Sequence, residues 1–165
     1  MFFSVPVPQN EPVFTYQAGS SERMQLEVAL QELFNQQIEI PAIIGGKEIF
    51  SGHTESCICP HDHRHILGTY HKAGEPEILQ AIEAAAKVRQ DWEEMPFYHR
   101  SAIFLKAAEL LSTKYRYLLN AATMLGQSKN VHQAEIDSAC ELIDFWRFNA
   151  YFAQKIYEQQ PLISP

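Results

Sequence analysis

Sulfur and imidazole side chains are concentrated between residues 57 and 65. The stretch holds two cysteines and three histidines, namely Cys57, Cys59, His61, His63 and His65. Thiolate and imidazole groups are ligands that zinc and copper favour. Structural zinc sites, however, typically place about two to four residues between paired cysteines, whereas a single residue separates these two. The stretch therefore predicts a hairpin with a polar loop and no metal ligand, and a small metal-binding protein built on it is the least favoured alternative.

Covalent catalysis requires an activated nucleophile, and the cysteines are the first residues to consider for it. Cys140 lies inside a predicted helix, where a small buried cysteine is the usual finding. Cys57 and Cys59 lie in a predicted strand rather than in a loop that would activate a thiolate. The glycines at 45–46 fit a hairpin turn, and residues 126–129 lack the complete phosphate-loop pattern. We therefore predict that this chain holds no catalytic residue and binds no cofactor.

Four carboxylates lie in the first half of the last predicted helix. They are Glu135, Asp137, Glu141 and Asp144. The last three are four and three residues apart, which places them on one helix face and is typical of a solvated surface. Glu135 lies instead among apolar neighbours near the start of the helix. A solvated or structurally paired position is the ordinary explanation for it, with a functional role as the alternative.

The elements that must position these residues fall into three stretches of one 165-residue fragment, which we expect to be α+β and mostly helical. Residues 1–19 are rich in proline and predict an extended arm, which must pack against something else to be ordered. Residues 20–73 predict one helix, capped by Ser20 or Ser21, followed by small β-hairpins. Residues 74–160 predict a layer of helices that ends in one long helix.

Turn, cap and periodicity signals set the expected boundaries of these elements. The glycines at 45–46 predict a tight turn between two short strands, and two further strands are predicted over residues 55–59 and 65–71. Gly126 is predicted to end a helix. The residues predicted to face the interior from the helix over 98–111 are Ile103, Phe104, Ala107, Leu110 and Leu111. The predicted helices cover residues 20–36, 76–95, 98–111, 115–125 and 131–158.

The amino-acid composition of the chain argues against nucleic acid and membranes as partners. The chain has 13 Lys or Arg and 20 Asp or Glu residues, a net charge of -7, which argues against nucleic acid as a main partner. No apolar run approaches the roughly 20 residues that a membrane span needs, and the first residues lack the features of a secretory signal. The three cysteines suggest no disulfide framework. A cytoplasmic protein with no nucleic-acid or membrane partner is therefore expected.

The most informative motifs lie in the carboxyl-terminal third of the chain. They are TMLGQSK at 123–129, QAEID at 133–137 and ELIDFWRFNA at 141–150. Shorter segments accompany them at residues 10–13, 19–23, 82–85 with Trp92, 103–108 and 159–161. In this order the motifs resemble those of Δ1-pyrroline-5-carboxylate dehydrogenases, members of the aldehyde dehydrogenase superfamily. Each segment alone is ordinary, but their combined order is specific and covers nearly the whole chain.

The resemblance implies an NAD-dependent oxidation of glutamate γ-semialdehyde to glutamate, a step of proline catabolism. The family's catalytic cysteine, its glutamate base and its dinucleotide site are all expected beyond Pro165. Glu135 matches a glutamate that borders the aldehyde pocket, so it is the substrate-adjacent residue that the resemblance implies. Pro60, His63 and His65 also match the family pattern, while the two nearby cysteines depart from it. That departure favours the structural interpretation of the cysteine-rich hairpin.

We therefore expect the amino-terminal portion of such a dehydrogenase, catalytically inactive by itself, with NAD belonging to the full-length parent. Its expected partners are the remainder of the dehydrogenase chain and further copies of itself, since surfaces normally covered by other domains favour association. The main alternative is a free-standing helical oligomerisation or interaction module.

Overall fold

The computed structural model describes residues 4–159. Some of the predictions lie outside the described residues. They concern residues 1–3 of the arm, residue 160 of the helical layer and residues 160–161 of the family motifs. The helices are α1 Ser21–Phe34, α2 Glu75–Glu94, α3 Phe97–Leu110, α4 Arg116–Gln127, α5 Val131–Ala134 and α6 Glu141–Glu158. The strands are β1 Ile38–Ile40, β2 Ala42–Ile44, β3 Lys47–Ile49, β4 Thr54–Ile58 and β5 Ile66–His71. The expected α+β, mostly helical class is confirmed.

The arm contains no helix or strand in its described residues. It ends in a turn where Tyr16 and Gly19 adopt φ angles of 52° and 82°. Ser20 then caps α1, because its hydroxyl accepts a hydrogen bond from the N–H of Arg23 at 3.3 Å. This is one of the two capping residues that the sequence predicts.

Two small sheets follow the first helix. In the three-stranded sheet, β5 pairs in parallel with β1 and antiparallel with β4. Position 68 must be glycine, because a Cβ on Gly68 would lie 2.2 Å from the carbonyl oxygen of Ile38. The second sheet is the β2–β3 hairpin, whose turn residues Gly45 and Gly46 have φ angles of 58° and 77°. The tight turn predicted there is confirmed.

Helices α2 and α3 bury less apolar surface than their sequences suggest. Helix α2 has no buried residue, and its Ile82 is 61% exposed. On α3 the prediction of an inward face is wrong for Ile103, Phe104 and Leu110, since they are 50%, 42% and 37% exposed, whereas Leu111, directly after the helix, is buried as predicted. The small residue Ala108 packs against Ile143 of α6 instead, because closely packed helices favour small side chains where they touch. Within residues 4–159 no helix has the length and apolarity of a membrane span.

Helix α4 ends later than predicted. It continues to Gln127, and Ser128 adopts the left-handed conformation with φ 56°, so the prediction that Gly126 ends the helix is wrong. Asn130 then begins α5 with a capping box, in which its side chain accepts from the N–H of Gln133 at 3.0 Å.

Two π-helical segments interrupt the helical layer, Leu111–Tyr115 between α3 and α4 and Glu135–Cys140 between α5 and α6. The last predicted helix, residues 131–158, is therefore not uniformly α-helical. A π-helical turn bonds each residue to the fifth along, so it changes which side chains share a face. In this chain the second segment carries the buried Glu135 at its start.

Two apolar clusters form the core. One lies between α3 and α6 and contains Ala108, Leu111, Ala139 and Ile143. The other joins the arm, α1 and α4 and contains Tyr16, Leu26 and Ala121. A buried polar cluster around Glu135 lies next to both apolar clusters. It includes Tyr16, a member of the second apolar cluster, and Cys140, which follows Ala139 of the first apolar cluster in the chain.

Candidate functional site

Glu135 is fully buried at the start of the second π-helical segment. Its carboxylate accepts hydrogen bonds from the N–H of Phe14 at 2.8 Å and from the hydroxyl of Tyr16 at 2.7 Å. Asn120 Nδ2 donates at 2.8 Å, and Arg116 donates through both Nε and Nη2. These donors satisfy the lone pairs of the carboxylate, which is the condition for burying a charged acceptor.

Arg116, at the first turn of α4, is the cationic partner of Glu135 and is 1% exposed. Its Nη1 donates to the Glu11 carboxylate at 2.5 Å, and its Nη2 donates to the carbonyl oxygen of Pro12 at 2.6 Å. The guanidinium carbon lies 3.8 Å from the ring centroid of Phe14, a cation–π contact. One side chain therefore links the arm to the helical layer.

The cluster is balanced in charge. Glu11, on the arm, also accepts a hydrogen bond from Nη1 of Arg147 on α6 at 2.6 Å. Its side chain is only 8% exposed. Two carboxylates, Glu11 and Glu135, thus face two guanidiniums, Arg116 and Arg147. Buried charges are tolerated when they are paired and hydrogen-bonded in this way.

The arm is held at several further points by acceptors on α6. Asp144 accepts from the N–H of Glu11 and from the side-chain amide of Asn10, both at 2.7 Å. Gln154 accepts from the N–H of Val5 at 2.6 Å. An extended segment outside a sheet must find partners for its N–H groups elsewhere, and here side chains of one helix supply them.

Burial and hydrogen bonding act on the pKa of Glu135 in opposite directions. Burial would raise the pKa, but hydrogen bonds from Arg116, Tyr16 and the N–H of Phe14, with a further one from Asn120, hold it below its ordinary value. Burial and the hydrogen bond to Glu135 raise the pKa of Tyr16. For Arg116, burial acts to lower the pKa, but the hydrogen bond and charge of Glu135 raise it. At neutral pH Glu135 is therefore a carboxylate, Arg116 a guanidinium and Tyr16 a neutral phenol.

Cys140 borders the cluster with its thiol 3.4 Å from Nη2 of Arg116 and 3.7 Å from Oε1 of Glu135. Burial, followed by the negative charge of Glu135, raises the pKa of this thiol to about 11. A thiol that stays protonated at neutral pH is a poor nucleophile. Cys140 is therefore a buried core cysteine, as the sequence predicts.

The cysteine- and histidine-rich hairpin between β4 and β5 distributes its side chains among separate partners. The buried Cys59 Sγ lies 3.3 Å from Nε2 of His61, whose Nδ1 lies 2.8 Å from the hydroxyl of Ser128. His65 stacks on Phe34 with ring centroids 3.9 Å apart. In the part of the chain that the structure describes, no group of three or more His, Cys, Asp or Glu side chains is placed to hold a metal ion.

The sequence pointed to Glu135 but not to the residues that bind it. The missed members are Glu11, Tyr16, Arg116, Asn120 and Arg147. Charged and amide side chains in helices, such as Arg116, Asn120 and Arg147, are ordinarily solvated. Glu11 and Tyr16 lie on the arm, which has no periodicity to single them out. The available signal was the spacing of Arg116 and Asn120, which are four residues apart and so share a helix face. Both are buried. The position of Glu135 beside an aldehyde pocket stays a prediction.

The lowered pKa of Glu135 predicts a specific sensitivity to acid. A carboxyl group with a lower pKa in the folded chain stabilises the fold above its unfolded pKa, near the ordinary value of 4.5, and this contribution is lost as pH falls through the folded pKa. Tyr16→Phe removes one donor to the carboxylate, which raises the folded pKa. We expect the free energy of unfolding of this variant to fall less between about pH 5 and pH 3 than that of the wild type.

Urea unfolding of both proteins across this pH range measures the difference. Tyr70→Phe is the matched control, because the hydroxyl of Tyr70 donates to the exposed Glu55 at 2.9 Å. An exposed pair of this kind contributes little, so the control should follow the wild-type pH dependence. Identical pH dependences for the wild type and Tyr16→Phe would contradict the role assigned to Glu135.

The chain belongs to the aldehyde dehydrogenase family, whose family model matches residues 50–164. Its relatives within that family are Δ1-pyrroline-5-carboxylate dehydrogenases, so the resemblance seen in the motifs is confirmed. The mitochondrial enzyme of Dictyostelium discoideum is 48% identical over 158 residues, which make up 96% of this chain and 28% of that relative. The human mitochondrial enzyme is 42% identical over 94% of this chain and 28% of its own length.

The same relationship holds for the fold. The crystal structure of the Δ-pyrroline-5-carboxylate dehydrogenase from Mycobacterium tuberculosis bound with NAD matches this chain with a TM-score of 0.96 and 46% identity. The match covers 100% of this chain and 31% of that one. The chain thus spans less than a third of the length of these relatives and corresponds to their amino-terminal portion.

Proposed function

We propose that this chain acts as the amino-terminal portion of an NAD-dependent Δ1-pyrroline-5-carboxylate dehydrogenase, which oxidises glutamate γ-semialdehyde to glutamate in proline catabolism. The observation that carries the proposal is the agreement of both sequence and fold with such enzymes over nearly the whole chain. The relative crystallised with NAD supports NAD as the cofactor of the full-length parent, and we assign no NAD site to this chain.

Within that enzyme we assign the chain a structural role and propose that it is inactive alone. Its cysteines support this, because Cys140 has a raised pKa and Cys59 is fully buried. The arm over 1–19, the helix and hairpins over 20–73 and the helical layer over 74–160 are proposed to act as one unit. We also propose that Glu135 borders the aldehyde pocket. The side chains that bind Glu135 would then fix the position of the backbone beside that pocket.

The remainder of the dehydrogenase chain is the proposed partner. Helix α2 exposes Ile78, Leu79 and Ile82, and α6 exposes Phe145 and Phe152, each by more than half of its surface. Grouped apolar side chains of this kind mark surfaces that other protein elements cover. A longer chain of the parent's length supplies such elements. In the isolated chain we propose that copies associate through the same surfaces.

A free-standing oligomerisation module is the second candidate function, and the exposed apolar residues of α2 and α6 favour it too. The two candidates differ in solution behaviour. A module of this kind forms a discrete oligomer of fixed size in light scattering. A monomer, or a mixture of species whose size grows with concentration, would count against the oligomerisation module. The amino-terminal portion of the dehydrogenase would then be the remaining candidate.

We propose the cytoplasm as the compartment, because all three cysteines, Cys57, Cys59 and Cys140, are free and reducing compartments keep thiols reduced. Several relatives, among them the Dictyostelium discoideum and human enzymes, carry the word mitochondrial in their names. Fractionation of cells that express the full-length protein is the test, and its recovery with mitochondria would contradict the proposal.

Complementation tests the proposed activity. The 165-residue chain is co-purified with the remaining portion of the Mycobacterium tuberculosis relative, which is 46% identical where the two correspond. We expect NADH to form from pyrroline-5-carboxylate only when both portions are present, and titration calorimetry to detect no NAD binding by this chain alone. Micromolar binding of NAD to the isolated chain would overturn the assigned division of roles. An assembled pair that forms no NADH would contradict the dehydrogenase assignment.

A further inference from the structure

A cavity between α2, α3 and α6 lies apart from the Glu135 cluster and shares no residue with it. Its volume is about 440 Å³, which is sufficient for a small organic molecule. The walls are largely aromatic and include Trp92, Phe97, Phe104, Trp146 and Tyr157. The polar side chains that line it include Arg100 and Asn149. Apolar walls with a few polar groups are the usual composition of a ligand site.

Arg100 supplies the positive charge of this cavity. Its Nη2 donates to the hydroxyl of Tyr157 at 3.0 Å. Its Nε is buried and has no hydrogen-bond partner in the described part of the chain. None of the ion pairs formed there includes Arg100. A guanidinium partly withdrawn from water without an anion is unfavourable, and a carboxylate is the group that its planar fork binds best.

We propose that this cavity binds a small hydrophobic monocarboxylate. Its ring or alkyl chain lies between the aromatic walls, where burial and ring contacts stabilise it, and its carboxylate pairs with Arg100. The proposal rests on the cavity's own residues and is independent of the dehydrogenase assignment.

Intrinsic fluorescence reports directly on this cavity. The chain has two tryptophans, Trp92 and Trp146, and both line it. Titration with 4-phenylbutyrate is compared with titration by the neutral 4-phenylbutan-1-ol, which has a similar size and shape. We expect a saturable change of tryptophan emission with the acid at a Kd on the order of 1 mM or below. The alcohol should bind about tenfold more weakly, since it lacks the charge that Arg100 pairs with.

Two variants separate charge from shape. Arg100→Gln is expected to abolish the preference for the acid over the alcohol, whereas Arg89→Gln, at an 82% exposed side chain of α2, is expected to keep it. Ala153→Leu fills part of the cavity without changing any charge, so both probes should bind more weakly. Circular dichroism establishes that each variant is folded, and if Arg100→Gln fails to fold, Ala153→Leu decides whether the probes occupy the cavity.

Three results overturn the proposal. The first is equal affinity for the acid and the alcohol in the wild type. The second is acid binding that Ala153→Leu leaves unchanged. The third is the absence of a saturable change up to about 10 mM acid, which would assign the cavity to a side chain of a protein partner.

Discussion

Replacing Glu135 with Gln is expected to lower the free energy of unfolding by about 3–5 kcal/mol. The substitution removes the negative charge that Arg116 faces inside the protein, and it places an amide N–H₂ among donors from Tyr16 and Asn120. A domain of ordinary stability unfolds at a cost of about 5–15 kcal/mol. The loss therefore amounts to a large share of the total, and urea unfolding followed by circular dichroism should show a much lower midpoint.

Glu27→Gln is the matched control, because Glu27 forms an exposed ion pair with Arg23 at 2.8 Å. Exposed pairs within one helix contribute about 0.5 kcal/mol or less, so this variant should unfold close to the wild type. Similar midpoints for Glu135→Gln and Glu27→Gln would contradict the importance of the buried cluster.

A double replacement sharpens the same prediction. Arg116→Met alone leaves the Glu135 carboxylate buried without its cation. Glu135→Leu combined with Arg116→Met removes both charges, so no unpaired charge of this pair stays buried. The remaining acid, Glu11, keeps its contact with Arg147 at 2.6 Å. We expect the double variant to lose less stability than the sum of the two single variants. Additive losses would show that the two residues act independently.

Local features of the fold could be predicted from the sequence, because their causes are local. The β2–β3 hairpin depends on Gly45 and Gly46, which adopt the positive φ angles that the turn needs. The Ser20 cap likewise depends on one side chain and its own helix. The parallel pairing of β1 with β5 was not predicted, since it depends on the approach of Ile38 to Gly68, which are far apart in sequence.

The burial of the helices could be predicted only in part. Periodicity indicates that a helix has an apolar face, but it does not say what covers that face. Helix α2 has such a face, yet Ile78 and Ile82 stay exposed in this chain. The first π-helical segment adds a second difficulty. Leu111 and Arg116, five residues apart, are both buried, and an α-helical period of 3.6 residues does not place them on one face.

The residues around Glu135 show most clearly what the sequence alone could not predict. Glu135 was singled out through the family motifs, whereas its donors Tyr16, Asn120 and Arg116 come from the arm and from α4. Their meeting depends on the path of the arm across the helices, which no spacing in the sequence encodes. The sequence predicts that the arm lacks regular structure, but it predicts a solvated position for Asp144 on α6, which is one of the side chains that hold the arm.

Ile143→Ala is expected to produce a loss of stability as large as that of the buried charges, about 2–5 kcal/mol. Ile143 is fully buried between α3 and α6, where its neighbours include Ala108 and Ala139. Those neighbours are too short to fill the space that a truncated side chain leaves, so a cavity adds to the lost burial. In the monomeric chain, Ile82→Ala on α2, where the side chain is 61% exposed, should cost well under 1 kcal/mol.

The same pair of variants also tests what covers α2 in the assembled enzyme. In the complemented dehydrogenase we expect Ile143→Ala to remain costly, because its site is already complete within this chain. Ile82→Ala should become clearly more costly there than in the isolated chain, because we propose that the remaining portion buries the α2 face. Unfolding midpoints of the isolated chain and of the complemented pair measure the two shifts. An Ile82→Ala effect that is equally small in both would show that α2 stays exposed and that its apolar face serves another partner.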